Sequence, residues 1–336
     1  MKILTATLFL SFLMLSHSSF AQSVPDFDLA FRDKMTVKEK QRLSNVTREA
    51  LDLVARYLPV DMSMPKRIKF VFSTENRNEY FTDAKVLTVK TVGDNATMMK
   101  AIIHELGHAV IEESVDARLS PELRSLHGQL KELSARRFEI EKQMHDQAAN
   151  GTLDYNQMNK KLSDVNEKIS HFPDFQMAFL TYQEFFADSL NVTVTEDPAA
   201  NVYDAGEKFQ EEVDFSRNFA TGTSRDSLAR WQKGLTPPKT FGFGRHYAFS
   251  PARWDFWGRI KNRISQKSGK TAVIEALHQG TITAFSEFFS EMSVSYQKAL
   301  KQDTGADFML MLTESDMSQL NKKLIQSLAI ELNKAH

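Results

Sequence analysis

A five-residue segment, His104-Glu105-Leu106-Gly107-His108, lies inside a run of apolar residues with helical spacing. Asp94 or Asn95 precedes this run and is a suitable N-terminal cap. Side chains four residues apart lie on one face of a helix, so both imidazoles can reach one ion, while Glu105 is turned toward its bound water. Two histidines and a glutamate are costly to bury without a partner such as a metal ion. The segment therefore predicts a buried helix that carries part of a metal site.

The third ligand must come from elsewhere, because the chain has no cysteine and position 114, where a third histidine would follow in another version of this motif, is Ser114. Catalytic zinc needs three protein ligands and keeps one position for water. Glu184 is a candidate, since Ala187 allows close helix packing and Asp188 can hydrogen-bond a ligating histidine. Glu287 is the competing candidate, although Ser290-Glu291 replaces the Ala-Asp pair.

The segments at 104–108 and 184–188 together resemble the gluzincin metallopeptidases whose second motif reads Glu-x-x-Ala-Asp, as in the CAAX-prenyl-protease-type branch and its soluble periplasmic relatives. The resemblance implies a zincin-like fold and one zinc ion. It does not cover the segment between these motifs or the chain after Asn191. It implies the following roles: His104, His108 and Glu184 as zinc ligands, Glu105 as general base and Asp188 as a partner of a ligating histidine.

Gluzincins commonly supply a Tyr or His, downstream of the zinc helices, to stabilise the oxyanion. The segment 241–257 is rich in aromatic residues and in the helix breakers Gly and Pro, which indicates a long loop region. His246 and Tyr247 are the candidates for this role, with Arg245 or Arg253 next. The alternative is that these side chains belong to the core or its rim.

Residues 1–21 combine one lysine, a short apolar run and small residues at Ser19 and Ala21, which is typical of a secretory signal peptide. We expect cleavage after Ala21 and a secreted or periplasmic protein from Gln22 onward. The alternative, an uncleaved anchor, needs about 20 apolar residues. No later segment of the sequence approaches a membrane span.

Hydrophobic periodicity predicts a helix over 36–58 and helices over 269–300 and 314–335. β-Branched and aromatic residues predict strands over 67–72 and 85–90. The second of these strands ends near the metal helix, so an extended substrate backbone could pair with it if it lies at a sheet edge.

Between 120 and 173, apolar residues are spaced alternately three and four apart, as in a coiled coil, and the pattern is interrupted at 149–152. This predicts an antiparallel helical hairpin that projects as an arm and recognises a substrate or a protein partner. An ordinary pair of surface helices is the alternative.

The fold class predicted is α+β and mostly helical, with a small sheet, an active-site helix and the inserted hairpin. After the leader we expect an N-terminal lobe over 22–119, the hairpin over 120–173 and a helical C-terminal lobe over 174–336. Lys and Arg total 42 against 43 for Asp and Glu, which gives no positive field to hold nucleic acid.

The function expected is an exported zinc endopeptidase that acts on a protein or peptide substrate, with Glu105 as the base. Two alternatives stay open. One is a catalytically inactive binding or scaffold protein that zinc stabilises, and the other is a metal-dependent amidase of cell-wall peptides. The intact glutamate of the first motif favours an enzyme, because a purely structural metal site does not require it.

Overall fold

The structure is a computed structural model that describes residues 24–74, 78–81, 84–91, 93–170, 173–202, 217–220, 249–300 and 314–335. Over these residues the protein is a mostly helical α+β protein with one small mixed sheet. The predicted fold class is confirmed at this level.

The sheet has four strands in the order β1-β2-β4-β3. β1, β2 and β4 run parallel to one another, and β3 pairs antiparallel with β4. The predicted strands at 67–72 and 85–90 are confirmed as β2 and β4, whereas β1 and β3 were not predicted. The strands are β1 (Asp26–Phe31), β2 (Arg67–Ser73), β3 (Glu79–Phe81) and β4 (Val86–Lys90).

β4 lies inside the sheet, with β2 on one side and β3 on the other. At the end of β4, the backbone N–H of Lys90 donates a hydrogen bond to the side chain of Asn78, the residue just before β3, at 2.8 Å. The expectation that a substrate could pair with β4 is therefore wrong, because β3 already occupies that edge.

Eight α-helices and one short 3-10 helix (Val115–Ala117) are described, and the α-helices include those predicted over 36–58, 269–300 and 314–335. α1 begins with a capping box in which the Thr36 hydroxyl accepts from the Glu39 N–H and the Glu39 carboxylate accepts from the Thr36 N–H. Among the described residues, no helix combines the length and apolar character that crossing a membrane requires. The helices are α1 (Val37–Tyr57), α2 (Asn95–Ser114), α3 (Pro121–Ala149), α4 (Tyr155–Ser170), α5 (Pro173–Thr195), α6 (Ser250–Ile260), α7 (Lys267–Leu300) and α8 (Glu314–Lys334).

α2 is the central helix and is buried on most of its surface, as its all-round apolar sequence predicts. Asp94 caps it by accepting a hydrogen bond from the Thr97 N–H at 2.7 Å. The helix packs against β3 and β4 on one side and against α1 and α5 on others. Its central segment is therefore held in place by several elements.

α3 and α4 pack against each other and form the helical hairpin. The turn between them places Gly151 at a φ of +67°, a left-handed conformation that glycine adopts without strain. Ile140, Met158 and Val165 form a small hydrophobic cluster that is separate from the main core. The part of the hairpin that contains this cluster, here called the distal hairpin, therefore has a hydrophobic core of its own.

Two of the three C-terminal helices, α6 and α7, pack directly on α5. α7 packs against α5 and α8, and α6 packs against α8 and α5. The rings of Phe249 and Phe256 are buried and contact Phe185 of α5, with ring centroids 5.7 and 6.1 Å away. Phe249 and Phe256 therefore belong to the core. The loop region expected over 241–257 is wrong from Ser250 onward, where α6 begins and packs its apolar side chains on α5.

Candidate metal site

His104 and His108 lie one turn apart on α2, and their imidazoles converge. Their Nε2 atoms are 3.3 Å apart, and the ring planes are nearly perpendicular, at 86°. The His104 side chain is 4% exposed and that of His108 is 13% exposed. One ligand position is thus sealed in the core, and the other lies nearer to solvent.

Glu184 reaches this pair from α5. Its Oε2 atom is 3.5 Å from His104 Nε2 and 3.6 Å from His108 Nε2. Ligands of a tetrahedral zinc at about 2.0–2.1 Å from the ion are about 3.3–3.4 Å from one another. Among the described residues these three side chains form the one group that could hold a metal ion. The competing candidate, Glu287, is exposed on α7 and is not part of this group.

The two helices approach closely because small residues face each other next to the ligands. A Cβ atom added at Gly107 would lie 2.6 Å from the Ala187 Cα and 2.9 Å from its Cβ. Non-bonded carbon atoms do not approach this closely in folded proteins, so any side chain at position 107 would force α2 and α5 apart. Close helix packing was predicted at Ala187, whereas the matching role of Gly107 was not predicted.

Asp188, one turn after Glu184, supports His104 from behind, as predicted. Its Oδ1 atom is 3.1 Å from His104 Nδ1. The Nδ1–H of His104 can therefore donate a hydrogen bond to the carboxylate, which places Nε2 on the side of His108 and Glu184, where it can bind a metal ion once it has lost its proton. The contact fixes both the tautomer and the orientation of the ring.

Two arginines form ion pairs with Asp188, and neither of these contacts was predicted. Arg217 Nη2 is 2.6 Å from Oδ1, and Arg253 Nη2 is 2.7 Å from Oδ2. Burial alone would raise the pKa of Asp188, but both guanidinium groups and His104 lower it well below its usual range. Arg253 and Asp188 are fully buried, so Arg253 lies behind the site and is not placed to contact a substrate.

Glu105 lies beside the ligands, with Oε1 at 4.0 Å from His104 Nε2. Its side chain is buried, and this burial raises its pKa, an effect that the neighbouring imidazoles partly oppose. A carboxylate with a raised pKa is a better proton acceptor near neutral pH than an ordinary one.

His104 is predicted to keep its proton in the metal-free protein. Burial lowers its pKa, but hydrogen bonds to Asp188 and Glu184 raise it more, to about 9 from 6.5. Because the folded-state pKa is raised, the resulting stabilisation is complete below pH 6.5 and is lost as the pH rises to about 9. We expect NMR of the imidazole nitrogens to show His104 titrating near pH 9 without metal and not titrating with zinc bound.

The Glu184→Gln variant is the control for this titration, because the loss of one carboxylate should lower the pKa of His104. A wild-type midpoint at or below 6.5 would contradict the prediction.

The remaining candidates, Arg245, His246 and Tyr247, lie outside the described residues. Arg217 was missed altogether, and its local sequence carries no signal for its position, because the contact with Asp188 is between residues far apart in the chain.

Comparisons with protein-family models, curated proteins and solved structures give no match to this chain. The function must therefore be argued from the chemistry of the site itself.

Proposed function

We propose that the protein is an exported zinc metallopeptidase of the gluzincin type. The observation that supports this most strongly is the convergence of His104, His108 and Glu184, with Glu105 beside them. Two imidazoles and one carboxylate form a set of ligands that suits one zinc ion and leaves a position open. A purely structural zinc site normally has four protein ligands.

The chemistry is divided between the ion and the protein. Zinc at this position would supply Lewis acidity, which lowers the pKa of a water molecule and polarises a carbonyl group. Glu105 accepts the proton of the attacking water and donates it to the leaving amine nitrogen. Asp188 holds His104 in the tautomer that presents Nε2 to the ion.

A donor for the developing oxyanion completes the proposed mechanism. Arg217 is proposed as one such donor, because its side chain is 13% exposed and its Nη2, which bonds Asp188, lies 3.3 Å from Nδ1 and 3.5 Å from Nε2 of His104. His246 and Tyr247 remain proposed for the same role, with Arg245. Arg253 is not, since it is buried against Asp188.

The substrate proposed is a peptide or protein outside the cytoplasm, which follows from the leader at 1–21. The order of the sheet, α2 and α5 along the chain supports the zincin-like architecture proposed for the protein. The hairpin of α3 and α4 is proposed to bind the substrate or a partner protein.

Removal of the metal should abolish peptide cleavage. We expect the protein from residue 22 onward, loaded with zinc, to cut unfolded casein or a mixed peptide library, to lose activity with a chelator and to regain it with one equivalent of zinc. Mass spectrometry of the fragments distinguishes a peptidase from an amidase of cell-wall peptides. If chelation unfolds the protein but no peptide is ever cut, the scaffold alternative is correct.

A further inference from the structure

Polar contacts fix the register of α2 against α5 on both sides of the metal ligands. At one end, the Asn191 amide donates to the carbonyl oxygen of Lys100, at 3.0 Å. At the other end, the Gln183 amide donates to Glu112 Oε2, at 2.7 Å. The ligands lie between these contacts, and Glu184 directly follows Gln183. A shift of the second contact would therefore move Glu184 relative to the histidines of α2.

Glu112 is a buried carboxylate, 4% exposed, and side chains of opposite charge surround it. His127 Nε2 is 3.0 Å and Lys131 Nζ is 3.4 Å from its Oε1 atom. On the other side of the imidazole, Asp116 Oδ1 is 2.6 Å from His127 Nδ1. Removing one partner of such a buried set leaves a charge without compensation, which is strongly unfavourable.

The pKa shifts agree with a charged cluster. Burial raises the pKa of Glu112, but its hydrogen bond to His127 and the charges of His127 and Lys131 lower it below the ordinary value. Burial lowers the pKa of His127, whereas Glu112 and Asp116 raise it overall.

His127 and Lys131 belong to α3, the first helix of the hairpin. The base of the hairpin is thus tied by ionic contacts to Glu112 of α2 and to Asp116, and the hydrogen bond from Gln183 to Glu112 joins α5 to the same set. The distal hairpin is held by its own hydrophobic cluster and takes no part in these contacts.

We propose that Glu112, Asp116, His127, Lys131 and Gln183, here called the Glu112 cluster, form a positioning element that sets zinc affinity and couples the hairpin base to the metal site. The inference rests on the proposed function. Residues that orient ligands without touching the metal typically change its affinity by about 10- to 100-fold when they are replaced.

The test is the zinc affinity of cluster variants, measured on the full chain from residue 22 by competition with a chromogenic chelator. Glu112→Gln and His127→Gln should each weaken binding by about 10-fold. The double variant should recover most of this loss, because neither charge is then left alone. Arg137→Gln, in an exposed ion pair with Glu141 of the distal hairpin, should bind zinc as the wild type does.

A second control separates positioning from stability. Leu328→Ala, in the buried core of α8, should lower the free energy of unfolding and leave the zinc affinity of the folded protein unchanged. If Glu112→Gln does not fold, Lys131→Met tests the same contact at a residue that is 31% exposed. Cluster variants that lose stability but keep the zinc affinity of the wild type, as is expected for Leu328→Ala, would overturn the proposal.

The outcome is independent of peptide cleavage. A wild type that binds zinc and cuts nothing would refute the proposed function and leave this test intact. If the wild type binds no zinc, hydrogen exchange of the metal-free protein tests whether the cluster positions α5. The backbone amides of 183–191 should exchange faster in Glu112→Gln than in Arg137→Gln. Equal exchange would refute the positioning role.

Discussion

The Glu105→Gln variant is expected to lose peptide hydrolysis by about 10²- to 10⁴-fold, the usual contribution of a general base. The amide has nearly the shape of the carboxylate but cannot accept a proton from water. Because Glu105 is not one of the three converging ligands, zinc content should stay at one ion per chain. The measurement is kcat on a fluorogenic peptide, with zinc determined by elemental analysis of the same samples.

Glu287→Gln is the matched control. It is the same change at an exposed glutamate of α7, so rate and zinc content should both equal those of the wild type. Equal activity in the Glu105 variant, with zinc present, would refute the role of this residue.

Asp188→Ala is expected to lower the free energy of unfolding by about 3–5 kcal/mol, because it leaves the buried Arg253 without a counter-charge. Arg217 also loses its partner, and the Nδ1 proton of His104 loses its acceptor. Zinc affinity should fall by about 10- to 100-fold as a result. Urea unfolding and chelator competition measure the two effects.

Asp28→Ala is the control for a surface ion pair, since Asp28 contacts Arg67 and both side chains are at least half exposed. It should change stability by no more than about 1 kcal/mol. An Asp188→Ala variant as stable as Asp28→Ala would contradict the buried triad of Asp188 and the two arginines.

The difference in free energy of unfolding between the wild type and Asp188→Ala should depend on pH, because the pKa of Asp188 is lowered in the folded protein. Its contribution to stability is present above the unfolded-state pKa of about 3.9 and is lost as the pH falls toward the lower folded-state value. The wild type and Asp188→Ala should therefore become more alike in stability as the pH is lowered below about 4.

Local spacing was enough to predict most of the metal site. The i, i+4 geometry of a helix fixes His104 against His108, and it fixes Glu184 against Asp188 in the same way. The preference for Glu184 over Glu287 depended on the Ala187-Asp188 pair, which Ser290-Glu291 replaces in the second segment. The approach of α5 to α2 is a long-range contact that spacing does not encode, and Gly107 completes it opposite Ala187.

Other parts of the molecule could not be predicted, because they depend on contacts between distant segments. β1 lies just after the expected leader, and β3 has only three residues, too few for a periodicity to be seen. Arg217 looks like an ordinary surface cation and Arg253 like a candidate oxyanion donor until the fold brings both to Asp188. Glu112 likewise resembles a solvated helix charge, whereas it is buried and paired with His127.

The most direct test of the central claim is zinc K-edge X-ray absorption on the protein loaded with one equivalent of zinc. We predict a four-coordinate ion with nitrogen and oxygen ligands at about 2.0–2.2 Å and the scattering of two imidazoles. One imidazole should disappear in His108→Ala, and the first-shell oxygen signal should change in Glu184→Gln but not in Glu287→Gln. A protein that holds no zinc, or whose spectrum is the same in all four samples, would contradict the account.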